Sequence, residues 1–133
     1  MTTTTATAAA RAELRAYEQS VRLAVPELVA QLRGLIGARL VAYVASVGDT
    51  RAVRQWADSE REPSDMTVRR LRLAFRVAAT LAELDTPPVV QAWFQGANPH
   101  LGEVAPARLL REGDLDNAGP DILAAAKAFA AGD

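Results

Sequence analysis

The side chains best suited to chemistry in this sequence are the polar residues clustered around positions 50–61. Thr50, Arg51, Arg54 and Gln55 stand near the start of the stretch TRAVRQWADSE, and Arg61 follows it. Val53 and Trp56 lie three apart, so on a helix both turn inward and leave those four residues outward. An outward arginine or glutamine can make a bidentate contact with a base edge, worth about 1–3 kcal/mol of discrimination per base. Arg61 stands where a contact to a backbone phosphate is expected. These five residues are the candidate nucleic-acid contacts. The competing explanation is plain: an outward arginine is most often a solvated one.

Other chemistries find little support. There is no cysteine, which removes disulfides, thiolate metal sites and cysteine nucleophiles. His100 is the single histidine, so a pair of imidazoles cannot hold a metal. No glycine-rich phosphate loop occurs, and no nucleophile stands with a base and an orienting group. The expectation is therefore a binding protein with no cofactor, no metal and no catalytic residues. The longest apolar run, residues 35–47, is broken by Arg39, and a membrane span needs roughly 20 residues. After Met1, threonine and alanine fill positions 2–10 without a basic segment, so a cytoplasmic location is expected.

The net charge of −1 conceals an uneven distribution. Residues 51–85 carry seven arginines against six acids, whereas residues 86–133 carry three basic groups against six acids. Any nucleic-acid contact must then come from a local patch. The acidic end would suit a basic pocket on a partner, with Asp114 and Asp116 as candidate contacts.

The elements that must position these groups are helical. Half the 133 residues are hydrophobic but only 5% are aromatic, with alanine prominent, which suits closely packed helices. Residues 1–7 are expected to be unstructured and a first helix to run from Ala8 to just before Pro26. Pro26 opens a second helix closed near Gly34 or Gly37. A third spans about 38–46, and Asp49 caps a fourth over 50–60. Ser64 or Asp65 caps a long helix to about Leu84. On it Arg69, Arg72, Arg76 and Glu83 form a narrow polar stripe, while the rest of the circumference is apolar. Such a helix packs on two sides, between an N-terminal and a C-terminal unit or in a dimer interface. After Thr86, another candidate cap, come a short helix through Val89–Gln95 and a helix over 105–112 with Gly113 as a left-handed stop. A loop over 114–120 then leads to a last helix from Asp121, which Asp121 itself would cap. Trp56, Trp93 and Phe94 are expected in the core, Asn98-Pro99 in a turn, and His100 at the surface or as a cap.

Helices 38–46 and 49–60, joined by a short turn, have the form of a helix-turn-helix. Their sequence also resembles the helix-turn-helix of the phage-repressor-like Xre family, at Ala42, Val47, Thr50, Val53, Trp56, Arg61, Pro63 and Ser64. Ser59 stands where that family usually has glycine. Residues 86–133 resemble the toxin-binding domain of the Xre/MbcA/ParS antitoxin family, at Trp93, Asn98, Leu101, Gly102, Pro106, Leu109, Leu110 and Gly113. Glu103 replaces a second glycine found in many members. The resemblance covers about residues 35–133 and implies three parts: an N-terminal tail and helix (1–24), a DNA-binding domain (25–84) and a toxin-binding domain (85–133).

It further implies an antitoxin of a type II toxin–antitoxin system. Its partner would be a RES-domain toxin that consumes NAD, encoded by the neighbouring gene. Trp93, Asn98, Leu101, Gly102 and Pro106 would then serve toxin binding, and the C-terminal part would cover the toxin's active site. The helix-turn-helix would repress the shared promoter by binding operator DNA. A homodimer, or a larger hetero-oligomer with the toxin, is expected, because one helix-turn-helix covers few phosphates. The alternatives are a solitary regulator whose C-terminal segment dimerises, and an interaction adaptor whose helix-turn-helix is vestigial.

Overall fold

Proline, glycine and capping side chains divide the chain into helices, and no strand occurs among the described residues. The structure is a computed structural model that describes residues 2–132, with side chains from Thr7 onward. In chain order it contains α1 (Thr2–Arg22), α2 (Val25–Ile36), α3 (Ala38–Val44), α4 (Thr50–Ala57), α5 (Asp65–Ala82), α6 (Pro87–Gln95), α7 (Pro106–Glu112) and α8 (Leu115–Ala130). A 3-10 turn, Pro99–Leu101, lies between α6 and α7. The all-α class expected from composition is found. Among the described residues no helix is long and apolar enough to cross a membrane.

Local chemistry sets several boundaries as expected. Pro26 sits in the first turn of α2, and Gly37, at φ 87°, closes it. Asp49 caps α4 by accepting the Arg51 N–H at 2.8 Å, and Ser64 caps α5 by accepting the Thr67 N–H at 3.2 Å. Elsewhere the structure departs from expectation. Helix α1 begins at Thr2, so positions 2–7 are helical, not unstructured. Thr86 precedes α6 without a side-chain cap.

Helix α8 begins six residues before Asp121. Asp114 is its cap, accepting the Asp116 N–H at 3.1 Å, and Asp121 is an exposed residue of the helix interior. Pro120 lies within α8. An internal proline removes one backbone bond and costs about 3 kcal/mol, but α8 buries Leu115, Ile122, Ala125 and Ala126, which offsets it. Gly113 does end α7, yet at φ −79° it is extended rather than left-handed. A Cβ there would stand 2.6 Å from the Leu109 carbonyl oxygen and 3.1 Å from the Ala118 Cβ, so close approach is what requires glycine.

Helix α5 is the centre of the molecule. It packs on α1, α2 and α3 and also on α6, α7 and α8. Only Asp65, Met66 and Arg69 are exposed along it. The two-sided packing inferred from its sequence is thus realised inside one chain. A single continuous cluster of buried side chains runs from Leu28 on α2 through Trp56, Leu71 and Phe75 to Phe94, Leu110 and Ile122.

The polar stripe of α5 is covered mainly by α1. Arg72 donates from Nη1 to the carbonyls of Ser20 (2.8 Å) and Leu23 (3.0 Å), holding the C-terminal end of α1. Arg76 lies over the Tyr17 ring, 4.7 Å from its centroid. Glu83 accepts the Arg15 Nε–H at 3.0 Å, and this hydrogen bond raises the Arg15 guanidinium above its ordinary pKa. Arg69, one turn before Arg72, instead reaches Asp116 of α8 at 2.8 Å. Among its described side chains helix α1 buries only small ones, Ala12, Ala16 and Ser20, while Leu14, Tyr17 and Val21 are exposed.

Candidate functional site

Helices α3 and α4 meet through residues 45–49, and this turn is built by backbone bonds. The Ser46 N–H donates to the Tyr43 carbonyl and the Val47 N–H to the Ala42 carbonyl, each at 3.0 Å. That pair of bonds is a Schellman stop, with Ser46 in the left-handed conformation at φ 63°. Helix α4 ends the same way. The Ser59 N–H donates to Trp56 at 3.3 Å and the Glu60 N–H to Gln55 at 2.8 Å, with Ser59 at φ 62°. Val53 and Trp56 are buried, as their spacing predicts, and fix α4 against the core.

The five candidate nucleic-acid contacts fall into different environments. Thr50, Arg51 and Arg61 are exposed, and neither arginine side chain has a partner among the described residues. Gln55 is half-buried. Arg54 is exposed but occupied: its Nη1 lies 3.3 Å from Asp58 Oδ2 and 3.1 Å from Glu60 Oε2. The hydrogen bond to Glu60, followed by that carboxylate's charge, raises the Arg54 pKa above its ordinary value. Arg51 is therefore the one α4 guanidinium already free to meet an acceptor.

The seven candidate partner contacts also separate. Trp93, Asn98, Leu101 and Pro106 are buried, and Gly102, Asp114 and Asp116 are exposed. Trp93 packs edge-on against Phe94, centroids 5.3 Å apart, and near Phe129 at 6.5 Å. Asn98 caps the 3-10 turn by accepting the His100 N–H at 2.9 Å, and it bridges back to Val104. The sequence expectations of core for Trp93 and Phe94, a turn at Asn98 and an exposed His100 are met. Gly102 and Glu103 both have positive φ, 64° and 67°, and form the tight turn between Leu101 and Val104. Asp114 and Asp116 are engaged locally, the first as the α8 cap and the second with Arg69.

Trp93 and Asn98 line an open pocket of about 290 Å³ together with His100 and Phe129. The Trp93 indole N–H is buried without a hydrogen-bond partner. A buried donor left unpaired costs about 1–3 kcal/mol. Phe129 was not singled out from the sequence, because nothing in the local pattern brings α8 to the Asn98 turn.

A second group also escaped the sequence pattern. On the side of α3 facing α7, Arg39 and Tyr43 are exposed one helical turn apart. Arg111 lies over the Tyr43 ring at 4.7 Å and donates from Nη1 to the Tyr43 carbonyl at 2.8 Å. Arg39, Tyr43, Gln95 and Arg108 line an open groove of about 260 Å³. Among the described residues no cluster of carboxylates and imidazoles could hold a metal ion.

These features define an all-α protein with a capped pair of short helices on one part of a shared core and a tryptophan-lined pocket on another. Compared with protein-family models, with curated proteins and with solved structures, the chain matches none.

Proposed function

We propose that this chain is the antitoxin of a type II toxin–antitoxin pair. In this proposal α3 and α4 form a helix-turn-helix that binds operator DNA and represses the operon. Helices α6 to α8 bind a RES-type, NAD-consuming toxin and cover its active site. The protein acts without catalysing a reaction, in the cytoplasm, as a homodimer or within a larger complex with the toxin.

The observation that carries the proposal is conformational. Ser59 and Glu103 are the two positions where the sequence replaces a glycine of the antitoxin pattern. Both adopt left-handed backbone, at φ 62° and 67°, the conformation for which glycine is the ordinary choice. One lies at the end of α4 and the other in the turn before α7. The backbone that the family's glycines would require is thus present in both halves of the chain, although neither residue is glycine.

The test is growth and cellular NAD when the adjacent gene is expressed alone and then with this chain. Arrest with NAD depletion, both reversed by the chain, is the expected result. Arrest with steady NAD rejects the NAD-consuming partner. A harmless neighbour rejects the antitoxin role and leaves the solitary regulator.

One observation favours a second reading, an interaction adaptor that no longer binds DNA. Arg54 is already held by Asp58 and Glu60, and Glu62 lies beside Arg61. Binding of the chain to a duplex taken from upstream of its own coding region separates the two.

A further inference from the structure

We propose that the groove between α3 and α7 seats a backbone phosphate of duplex DNA, so that Arg39, Arg108 and Arg111 extend the DNA interface beyond α4. This inference rests on the proposal that α3 and α4 bind DNA, and it supplies what α4 lacks. Helix α4 carries one free guanidinium, Arg51, because Arg54 is held by two carboxylates. Affinity for duplex DNA comes chiefly from phosphates neutralised by Lys and Arg, and a typical protein contacts several. Further cations must therefore stand beside α4.

The groove provides them. None of its lining side chains is acidic. Arg39 has no partner among the described residues. Arg108 holds Glu112 through Nε at 2.8 Å, with no bond to its terminal nitrogens among the described residues. Arg111 does not line the groove but is anchored on the ring and carbonyl of Tyr43, which does, so its charge is held beside the groove at little further entropic cost. With Glu112 counted against three arginines the patch remains cationic, on a chain whose net charge is −1. Position agrees with charge. In helix-turn-helix complexes the first helix crosses the DNA backbone while the second enters the major groove. Arg39 and Tyr43 form the exposed side of that first helix, α3.

The test measures binding of the full chain to a duplex from upstream of its own coding region, across a series of salt concentrations. Arg39→Gln and Arg108→Gln should each lower the slope of log affinity against log salt by about 0.9, close to an eightfold loss at 0.1 M salt relative to 1 M. Arg39→Lys should restore the slope, since a phosphate needs the charge and not the fork. Arg22→Gln, an exposed arginine on α1, is the control for net charge. Thermal unfolding of each variant shows that the fold is kept. If the wild type binds and the groove variants match it, or if Arg22→Gln weakens binding equally, the groove assignment is overturned. If the wild type binds no duplex, the DNA-binding proposal itself has failed, and that outcome is distinct.

Discussion

Replacing Ser59 and Glu103 by glycine should stabilise the protein. A left-handed L-residue carries a steric cost of roughly 1–2 kcal/mol. Glycine removes it but adds chain entropy to the unfolded state, about 0.5–1 kcal/mol against alanine. The difference leaves a gain of about 0.5–1 kcal/mol per site. Nothing is lost in exchange, because the side chains of Ser59 and Glu103 are exposed and make no hydrogen bond among the described residues. For a chain of this size 1 kcal/mol corresponds to about 3–5 °C in Tm, so each variant should melt about 2–4 °C higher. The double variant should show nearly the sum, since the sites belong to different turns. Circular dichroism at the helical band gives Tm, and urea unfolding should show a higher midpoint with an unchanged slope. Gly102→Ala, at φ 64°, is the opposite perturbation and should lower Tm. A lower Tm for Ser59→Gly or Glu103→Gly would refute the left-handed assignment and remove the observation on which the functional proposal stands.

Other perturbations follow from particular contacts. Gly113→Ala drives a methyl to 2.6 Å from the Leu109 carbonyl and should cost about 1–3 kcal/mol by overpacking, read as a lower urea midpoint. Arg72→Ala removes the donor holding two carbonyls at the end of α1. It should cost about 2–3 kcal/mol and speed amide exchange over residues 8–22 more than in α4. Trp56→Ala should cost about 3–5 kcal/mol, measured in the same denaturant series. Arg51→Ala should weaken specific DNA binding by about 1–3 kcal/mol, whereas Arg54→Ala should weaken it less, because Arg54 must first leave Asp58 and Glu60. Equal losses would show that the acidic pair releases Arg54 without cost.

Where punctuation and periodicity coincide, the sequence was legible. Asp49 and Ser64 cap the helices they were expected to cap, Val53 and Trp56 turn inward, and the largely apolar circumference of α5 is packed on both sides. The polar stripe of α5 was legible as a stripe, but its neighbour was not. Charges at helical spacing look alike whether water or another helix covers them, and here α1 brings Glu13, Arg15 and Tyr17 to meet them. Pro120 misled because helix propensity speaks against it while buried Ile122 and Ala126 outweigh it. Gly113 was identified as a stop from its residue type, yet the reason is close approach to the Leu109 carbonyl and the Ala118 Cβ where α7 turns into α8, not a left-handed backbone. The Arg39 groove joins residues some seventy positions apart, which no local pattern encodes.

The continuous core has a consequence for how this chain can be lost or inherited. Helix α8 covers α5 and α7 with Ile122, Ala125 and Ala126, and α5 carries the other wall of the α2–α4 core. Clipping residues 114–133 therefore strips apolar surface from the helix on which α2 and α3, the supports of α4, also pack. A protease that catches the C-terminus should remove the whole molecule from the cell and leave no trimmed, half-active remnant. A recombination event that exchanges one half between relatives would likewise succeed only if α5 travels with the side it fits.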